Sequence, residues 1–325
     1  MAAKKVIYDT DPGVDDAMAL LFLAYSPEVE ILGITTVLGN ATIDTTTRNA
    51  LYLKDYFGLD APVVRGAGRP VEMEPTEPPT YVHGGNGLGD IVLDDIIRSE
   101  VHPLPAHEFI IETVRAHPGE VSIVAVGRMT NLAMALRQDP EIAGLVREIV
   151  IMGGAFGYNG HSGNVTPVAE ANIIGDPHAA DEIFGATWPI VVVGLDVTQE
   201  AVMSPAYLEA LRDTGGKAGQ FIWDISRFYE NFYRESTGMT GIPVHDSSAV
   251  AYWLDPTLFT TRGGPIRVVT EGIAIGQTIQ EPNTRKFKPS AWTGRPEHKI
   301  CIDGDAERFL KLYFDTIVAG AAARA

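Results

Sequence analysis

Short apolar, β-branched runs alternate along the chain with longer amphipathic stretches. Lys5–Tyr8, Val29–Leu38, Ala61–Val64, Val121–Val126, Glu148–Met152 and Pro189–Leu195 read as strands. Asp15–Tyr25, Thr46–Phe57, Ala106–His117, Leu132–Arg137 and Pro177–Phe184 read as helices. This strand–helix alternation predicts an α/β fold, a mostly parallel open sheet with helices on both faces. Pro205–Leu254 reads mainly helical, including Gly219–Arg234. Gly264–Thr270 and Ile273–Gln280 read as a small late β-hairpin, Lys299–Ile302 as a further strand and Glu307–Val318 as the closing helix. No repeat, low-complexity tract or linker interrupts the pattern, so residues 1–325 are expected to form one domain. Two Gly/Pro-rich loops, Gly66–Gly89 and Gly153–Gly163, are long enough to suggest function or mobility.

Composition adds exclusions. With 42 acidic against 25 basic residues, the formal net charge is −17, and no dense Lys/Arg patch offers a nucleic-acid surface. The acidity serves solubility, or clusters carboxylates around a cation. The single Cys301 rules out an intrachain disulfide, and no Cys/His spacing suits zinc. Only Val6–Tyr8 separate the basic start from Asp9, too few for a signal-peptide core. The longest apolar stretch, Ala17–Tyr25, is too short to span a membrane. The expectation is a cytoplasmic protein without membrane or nucleic-acid partners.

The chemistry concentrates where strands end. Four carboxylates, Asp9, Asp11, Asp15 and Asp16, fall within eight positions between the first strand and its helix. Helix capping accounts for one of them. Four close carboxylates repel, and a hard cation with all-oxygen ligands, Ca²⁺ or Mg²⁺, removes the conflict. Asn40, the segment Gly127–Asn131 and Met152-Gly153-Gly154 also follow strands, and parallel strands bring their carboxyl ends to one edge. Asn164, Glu170 and Asn172 suit a sugar diol, because each hydroxyl both donates and accepts; an exposed loop reads equally well. His245-Asp246 opens a helix and sets a proton-transfer group beside another oxygen ligand; a structural histidine and a helix cap are the plainer reading.

The run Asp9-Thr10-Asp11-Pro12-Gly13-Val14-Asp15-Asp16 strongly resembles the inosine–uridine preferring nucleoside hydrolase family. So do Val126-Gly127-Arg128-Met129-Thr130-Asn131, Met152-Gly153-Gly154, Asn164 through Asn172, and His245-Asp246, and the resemblance covers nearly the whole chain. It implies a Ca²⁺-dependent N-ribohydrolase that splits ribonucleosides into base and ribose through an oxocarbenium-like transition state. It also implies a place in nucleoside salvage and a homo-oligomer, dimer or tetramer. By resemblance, Asp11, Asp16, Asp246 and the Val126 carbonyl hold the ion. Asp15 meets the 2′-hydroxyl; Asn40, Asn164, Glu170 and Asn172 hold the remaining hydroxyls and the sugar; Met152 packs near the ribose. His83, His245, Tyr229 and Tyr233 border the base. Asp11 would deprotonate a water that the ion makes more acidic, and His245 would protonate the leaving base. Ala171 departs from the aromatic that many relatives carry beside Glu170, and the Gly153–Gly163 loop is longer than in relatives.

Two rival readings differ in class. Asp9-x-Asp11 after a strand resembles the haloacid dehalogenase phosphatases, but Gly13 stands where Thr or Val is expected. A non-catalytic nucleoside- or ribose-binding protein on the same scaffold would leave nucleosides intact.

Overall fold

The computed structural model describes residues 3–282, 285 and 287–324. Along the chain run β1 (Lys4–Thr10), α1 (Val14–Tyr25), β2 (Val29–Thr36), α2 (Ile43–Phe57), β3 (Val63–Val64), α3 (Thr80–His83), α4 (Ala106–Ala116), β4 (Val121–Ala125), α5 (Thr130–Gln138) and β5 (Glu148–Met152). Then come α6 (Ala171–Gly175), α7 (Pro177–Ile183), β6 (Ile190–Val193), α8 (Leu195–Thr198), β7 (Val202–Met203), α9 (Pro205–Thr214), α10 (Gly216–Thr237), β8 (Ile242–Pro243) and α11 (His245–Leu254). The chain closes with β9 (Phe259–Val268), β10 (Thr278–Gln280), β11 (Glu297–Gly304) and α12 (Ala306–Ala323).

Nine strands form one sheet in the order β10-β9-β11-β6-β5-β4-β1-β2-β3, and β7 pairs with β8 apart from it. From β3 to β11 every neighbouring pair is parallel, while β9 runs antiparallel to β11 and β10 antiparallel to β9. The central strands are apolar at successive positions because both faces are covered. Val6, Tyr8, Val124, Val150, Met152, Val191 and Val193 pack with α1, α10, α11 and α12. The alternate residues Ile7, Ile123, Ile149, Ile151 and Val192 pack with α4, α5 and α7.

The α/β reading holds, with local corrections. The expected strand Ile273–Gln280 shrinks to Thr278–Gln280. Gly272 and Gly276 both adopt positive φ, so residues 272–277 turn instead of extending. The Gly66–Gly89 loop contains the short helix α3. Leu195 opens α8 instead of ending a strand. Among the described residues, no helix is long and apolar enough to cross a membrane.

Candidate active site

Parallel register gathers the polar strand ends. Thr10 lies beside Thr36, and Asp9 lies beside Thr35 on one side and Ala125 on the other. Asp11 follows directly, and its carboxylate fits only because glycines flank it. A Cβ at Gly39 would lie 1.7 Å from Asp11 Oδ2, and one at Gly127 would lie 2.6 Å from Oδ1. The Asn40 amide donates to Asp11 Oδ2 at 2.7 Å, while Oδ1 is buried without a partner among the described residues.

Asp16 sits in the first turn of α1 and accepts four hydrogen bonds. Thr10 Oγ1 (2.6 Å) and the Asp11 amide (3.2 Å) donate to Oδ1; the Gly13 amide (2.9 Å) and Asn40 Nδ2 (2.8 Å) donate to Oδ2. Asp15 accepts from the Tyr229 hydroxyl at 3.4 Å, and its Oδ1 is again buried and unpartnered. Asp246 opens α11, and oxygens of Asp15, Asp16 and Asp246 all lie within 4.8 Å of one another.

Burial acts on every member, and repulsion from neighbouring acids adds to it on Asp11, Asp15 and Asp246. Asp15 is pushed up to about 8, first by burial and then by Asp16. Burial, then the Asp16 charge, raises Asp11. Burial, then Asp15, Asp16 and Asp11, raises Asp246. A buried set of acids with two bare oxygens and little cationic compensation is a site lacking a positive charge. The all-oxygen donors suit a hard divalent ion.

Opposite the acids lies an aromatic and imidazole wall. Tyr229 and Tyr233 stand one turn apart on α10, their rings 4.9 Å apart edge to face. His83 stacks on Tyr229 at 5.4 Å. Its Nδ1 lies 3.9 Å from Asp15 Oδ1 but accepts from the Val14 amide at 3.2 Å, and burial lowers its pKa to about 3. The contact with Asp15 is therefore not an ion pair. His245 Nε2 meets the Tyr233 hydroxyl at 2.8 Å, and Nδ1 meets Thr198 Oγ1 at 2.7 Å. The Tyr229 and Tyr233 hydroxyls lie 3.3 Å apart. With Asp15 ionised, these bonds have one consistent direction. Thr198 donates to His245, His245 Nε2–H to Tyr233, Tyr233 to Tyr229, and Tyr229 to Asp15.

The third side comes from residues 164–172. Glu170 caps α6, accepting from the amides of Asn172 (2.9 Å) and Ile173 (3.1 Å), and also from Gly154 (2.9 Å). Asn172 Nδ2 donates to the carbonyls of Val126 (2.7 Å) and Met152 (3.2 Å). Asn164 Oδ1 accepts from the Ala171 amide at 3.1 Å. These groups, with Asp15, Asn40, His83, Val126, Met152, Tyr229, Tyr233, His245 and Asp246, surround one cavity of about 170 Å³.

The family model described as inosine-uridine preferring nucleoside hydrolase matches residues 6–311. The chain belongs to that family. Uridine nucleosidase 1 of Arabidopsis thaliana is 40% identical to it over 95% of this chain and 91% of that protein. A solved plant nucleoside hydrolase superposes with a TM-score of 0.93 at 38% identity, covering 97% of this chain and 99% of the other. A purine-preferring ribonucleoside hydrolase from Gardnerella vaginalis gives 0.90 at 35% identity, covering 99% and 100%. The chain is thus a nucleoside N-ribohydrolase, a glycosidase.

In this nucleoside hydrolase every residue to which the resemblance gives a site role, except Asp11 and Asp16, lines the same cavity, and those two lie directly behind it through Asn40. Several are already engaged. Asn40 Nδ2 is held by Asp16, and Asn172 Nδ2 by two carbonyls, so each turns its amide oxygen to new donors. Thr198 escaped the sequence reading, although it follows the carboxyl end of β6. Asp9, the first acid of the motif, is fully buried; its Oδ1 accepts from Thr35 Oγ1 (2.5 Å) and Asn131 Nδ2 (2.8 Å). It cannot reach a substrate, which removes the phosphatase reading.

The acids make stability depend on pH in a definite direction. Burial keeps His83 and His245 neutral in the fold, while in the unfolded chain each is about half protonated at pH 6.5, an opposing contribution that fades by about pH 7.5. Between 6.5 and 8, Asp15 stays protonated in the metal-free fold but is ionised when unfolded. The folded state then binds more protons, and stability falls as pH rises. The expected result is a melting temperature of the metal-free enzyme that drops from pH 6.5 to 8, with a larger rise on adding Ca²⁺ at pH 8 than at pH 6.5. A flat or rising profile without metal would show that the cluster is not repulsive.

Proposed function

We propose that this enzyme hydrolyses the N-glycosidic bond of ribonucleosides with Ca²⁺ in the acidic cluster, through an oxocarbenium-like transition state. The reading is carried by the meeting, in one cavity, of Asp15, whose buried Oδ1 has no partner among the described residues, and its neighbouring acids with a hydrogen-bonded tyrosine–histidine wall. Asp11, Asp16, Asp246 and the Val126 carbonyl would hold the ion. When bound, the ion supplies positive charge that offsets the carboxylates and acidifies nearby water. Asp11 Oδ1 is the bare oxygen suited to take the proton of the attacking water. Asp15 receives the 2′-hydroxyl, and Asn40, Asn164, Glu170 and Asn172 the rest of the sugar, with Met152 beneath it. By resemblance the enzyme is a homo-oligomer serving nucleoside salvage.

The base would lie against His83, Tyr229 and Tyr233. Burial lowers the pKa of His245 to about 4, so the free site holds no imidazolium ready to donate. The Tyr233 hydroxyl is the group that meets the base, exchanging its long bond to Tyr229, while His245 Nε2–H supports the tyrosine oxygen as charge develops. Removing such help costs on the order of 10² in rate when the leaving group is poor. His245→Ala is therefore expected to lower kcat on natural nucleosides by about 10² and to leave p-nitrophenyl riboside nearly unchanged. Equal losses on both substrates would point to a positioning role alone.

The deciding experiment assays free ribose from a panel of purine and pyrimidine ribonucleosides, alongside metal analysis of the purified protein. Ribose release abolished by chelation and restored by Ca²⁺ supports the reading. Stoichiometric zinc without calcium would reject the ion, and binding without turnover would reject the hydrolase mechanism. The panel also reads the preferred base, on which the similar proteins differ: one is named a uridine nucleosidase and another purine-preferring.

A further inference from the structure

α8 is a single turn, yet the chain around it holds it in place. The Leu195 amide donates to the Gly154 carbonyl at 2.9 Å, and the Asp196 carboxylate accepts from the amides of Phe156 (2.9 Å) and Tyr158 (2.6 Å). Just after α8, Val202 and Met203 pair with Pro243 and Ile242 in the β7–β8 ribbon, and the Val244 amide donates to the Ala201 carbonyl at 3.1 Å. The ribbon closes the excursion through α9 and α10. It brings Thr198, the last residue of α8, against His245, the first residue of α11. Thr198 Oγ1 lies 2.7 Å from His245 Nδ1, and both residues are buried.

The direction of this bond follows from what else the hydroxyl could do. Thr198 is fully buried, and among the described residues its hydroxyl bonds only to His245 Nδ1. The carbonyl one turn back, that of Gly194, already accepts from the amides of Val197 and Thr198, both at 3.1 Å. If Nδ1 carried a hydrogen, the hydroxyl hydrogen would be buried without an acceptor, and that group's desolvation would go unrecovered. An imidazolium, with hydrogens on both nitrogens, meets the same obstacle. The hydroxyl therefore donates and Nδ1 stays bare, whatever the charge on Asp15. The imidazole then carries its one hydrogen on Nε2 and donates it to the Tyr233 hydroxyl oxygen at 2.8 Å. Tyr233 cannot give its own proton to His245, so that proton is left to face Tyr229 or the cavity that Tyr233 lines. We infer that Thr198 is a positioning residue for the reaction: it locks His245 in the Nε2–H form and thereby keeps Tyr233 a donor toward the departing base. The inference rests on the hydrolase reading above.

The first measurement needs no substrate. Nitrogen NMR of the purified enzyme with isotope-labelled histidine, Ca²⁺ bound, tells a bare ring nitrogen from a protonated one, and the His245 signals are those missing from His245→Ala. The expected spectrum has hydrogen on Nε2 and a bare, hydrogen-bonded Nδ1. A protonated Nδ1 in the wild type would overturn the inference. The second measurement is kinetic. Thr198→Val should lower kcat on the best natural nucleoside by about tenfold, the upper end of what one hydrogen bond contributes. Its rate on p-nitrophenyl riboside should stay within about threefold of wild type, because that leaving group needs no donor. Thr198→Ser keeps the hydroxyl and should bring the natural substrate back to within about threefold of wild type. Equal losses on both substrates, an unimpaired valine variant, or a serine variant as slow as the valine one would each overturn the inference. If the valine variant does not fold, the wild-type spectrum and the serine variant still decide. Failure of the hydrolase reading is distinct, because the wild type would then release ribose from neither substrate.

Discussion

Asp11→Ala should lower kcat by about 10⁴ on inosine or uridine, the upper end of what a general base contributes, and should lower p-nitrophenyl riboside cleavage just as much. The reason lies in where Asp11 points. One oxygen is fixed by the Asn40 amide, and the other is bare in a buried site walled by Gly39 and Gly127. Water activation is common to all substrates, so an improved leaving group cannot rescue its loss. That separates Asp11 from His245, whose removal should spare the activated substrate. The fold should survive, because Asp11 lies beyond the end of β1 and deleting one of several repelling acids relieves strain. With both proteins free of metal, a melting temperature at or above wild type would accompany the lost activity. Rates within tenfold of wild type, with metal still bound, would remove Asp11 from the role of base.

Ribonucleosides should be cleaved about 10⁴-fold more efficiently than their 2′-deoxy counterparts, the discrimination typical of a site built to pair a hydroxyl. Asp15 carries this expectation. Among the described residues its Oδ1 has no hydrogen-bond partner, its Oδ2 accepts a long 3.4 Å bond from Tyr229, and burial holds the group in a medium where unmade bonds are costly. A 2′-hydroxyl supplies the missing donor, and a deoxy sugar leaves the carboxylate bare. Comparing kcat/KM for uridine and deoxyuridine tests this directly. Comparable values would mean that Asp15 serves the cation alone. Asp15→Asn should narrow the gap between the two sugars as well as slowing both, whereas a purely structural Asp15 would leave their ratio untouched.

Much of this enzyme could be read from local pattern. Buried parallel strands are short and apolar, helices announce themselves by periodicity, and four acids within eight positions across the junction of β1 and α1 violate electrostatics unless something positive joins them. The α/β fold, the shared edge of strand ends and the acidic cluster follow from those rules without any knowledge of packing. The hairpin shows where pattern misleads. Residues 273–277 look extendable, yet positive φ at Gly272 and Gly276 curls them into a turn. Other features depend on groups remote in sequence. The Thr198–His245–Tyr233–Tyr229–Asp15 chain joins α8, α11, α10 and α1, and no spacing within one element foretells it. Asp9 and Asp11 are two residues apart and would share a face of a continued strand, yet β1 ends at Thr10, so Asp9 stays within the sheet, against Thr35 and Asn131, and Asp11 lies past the strand end. Residue types and strand ends thus specify which chemistry is present, because they depend on local sterics and charge. Which oxygen is left bare and which histidine is held neutral depend on burial and on long-range partners, and only packing sets those.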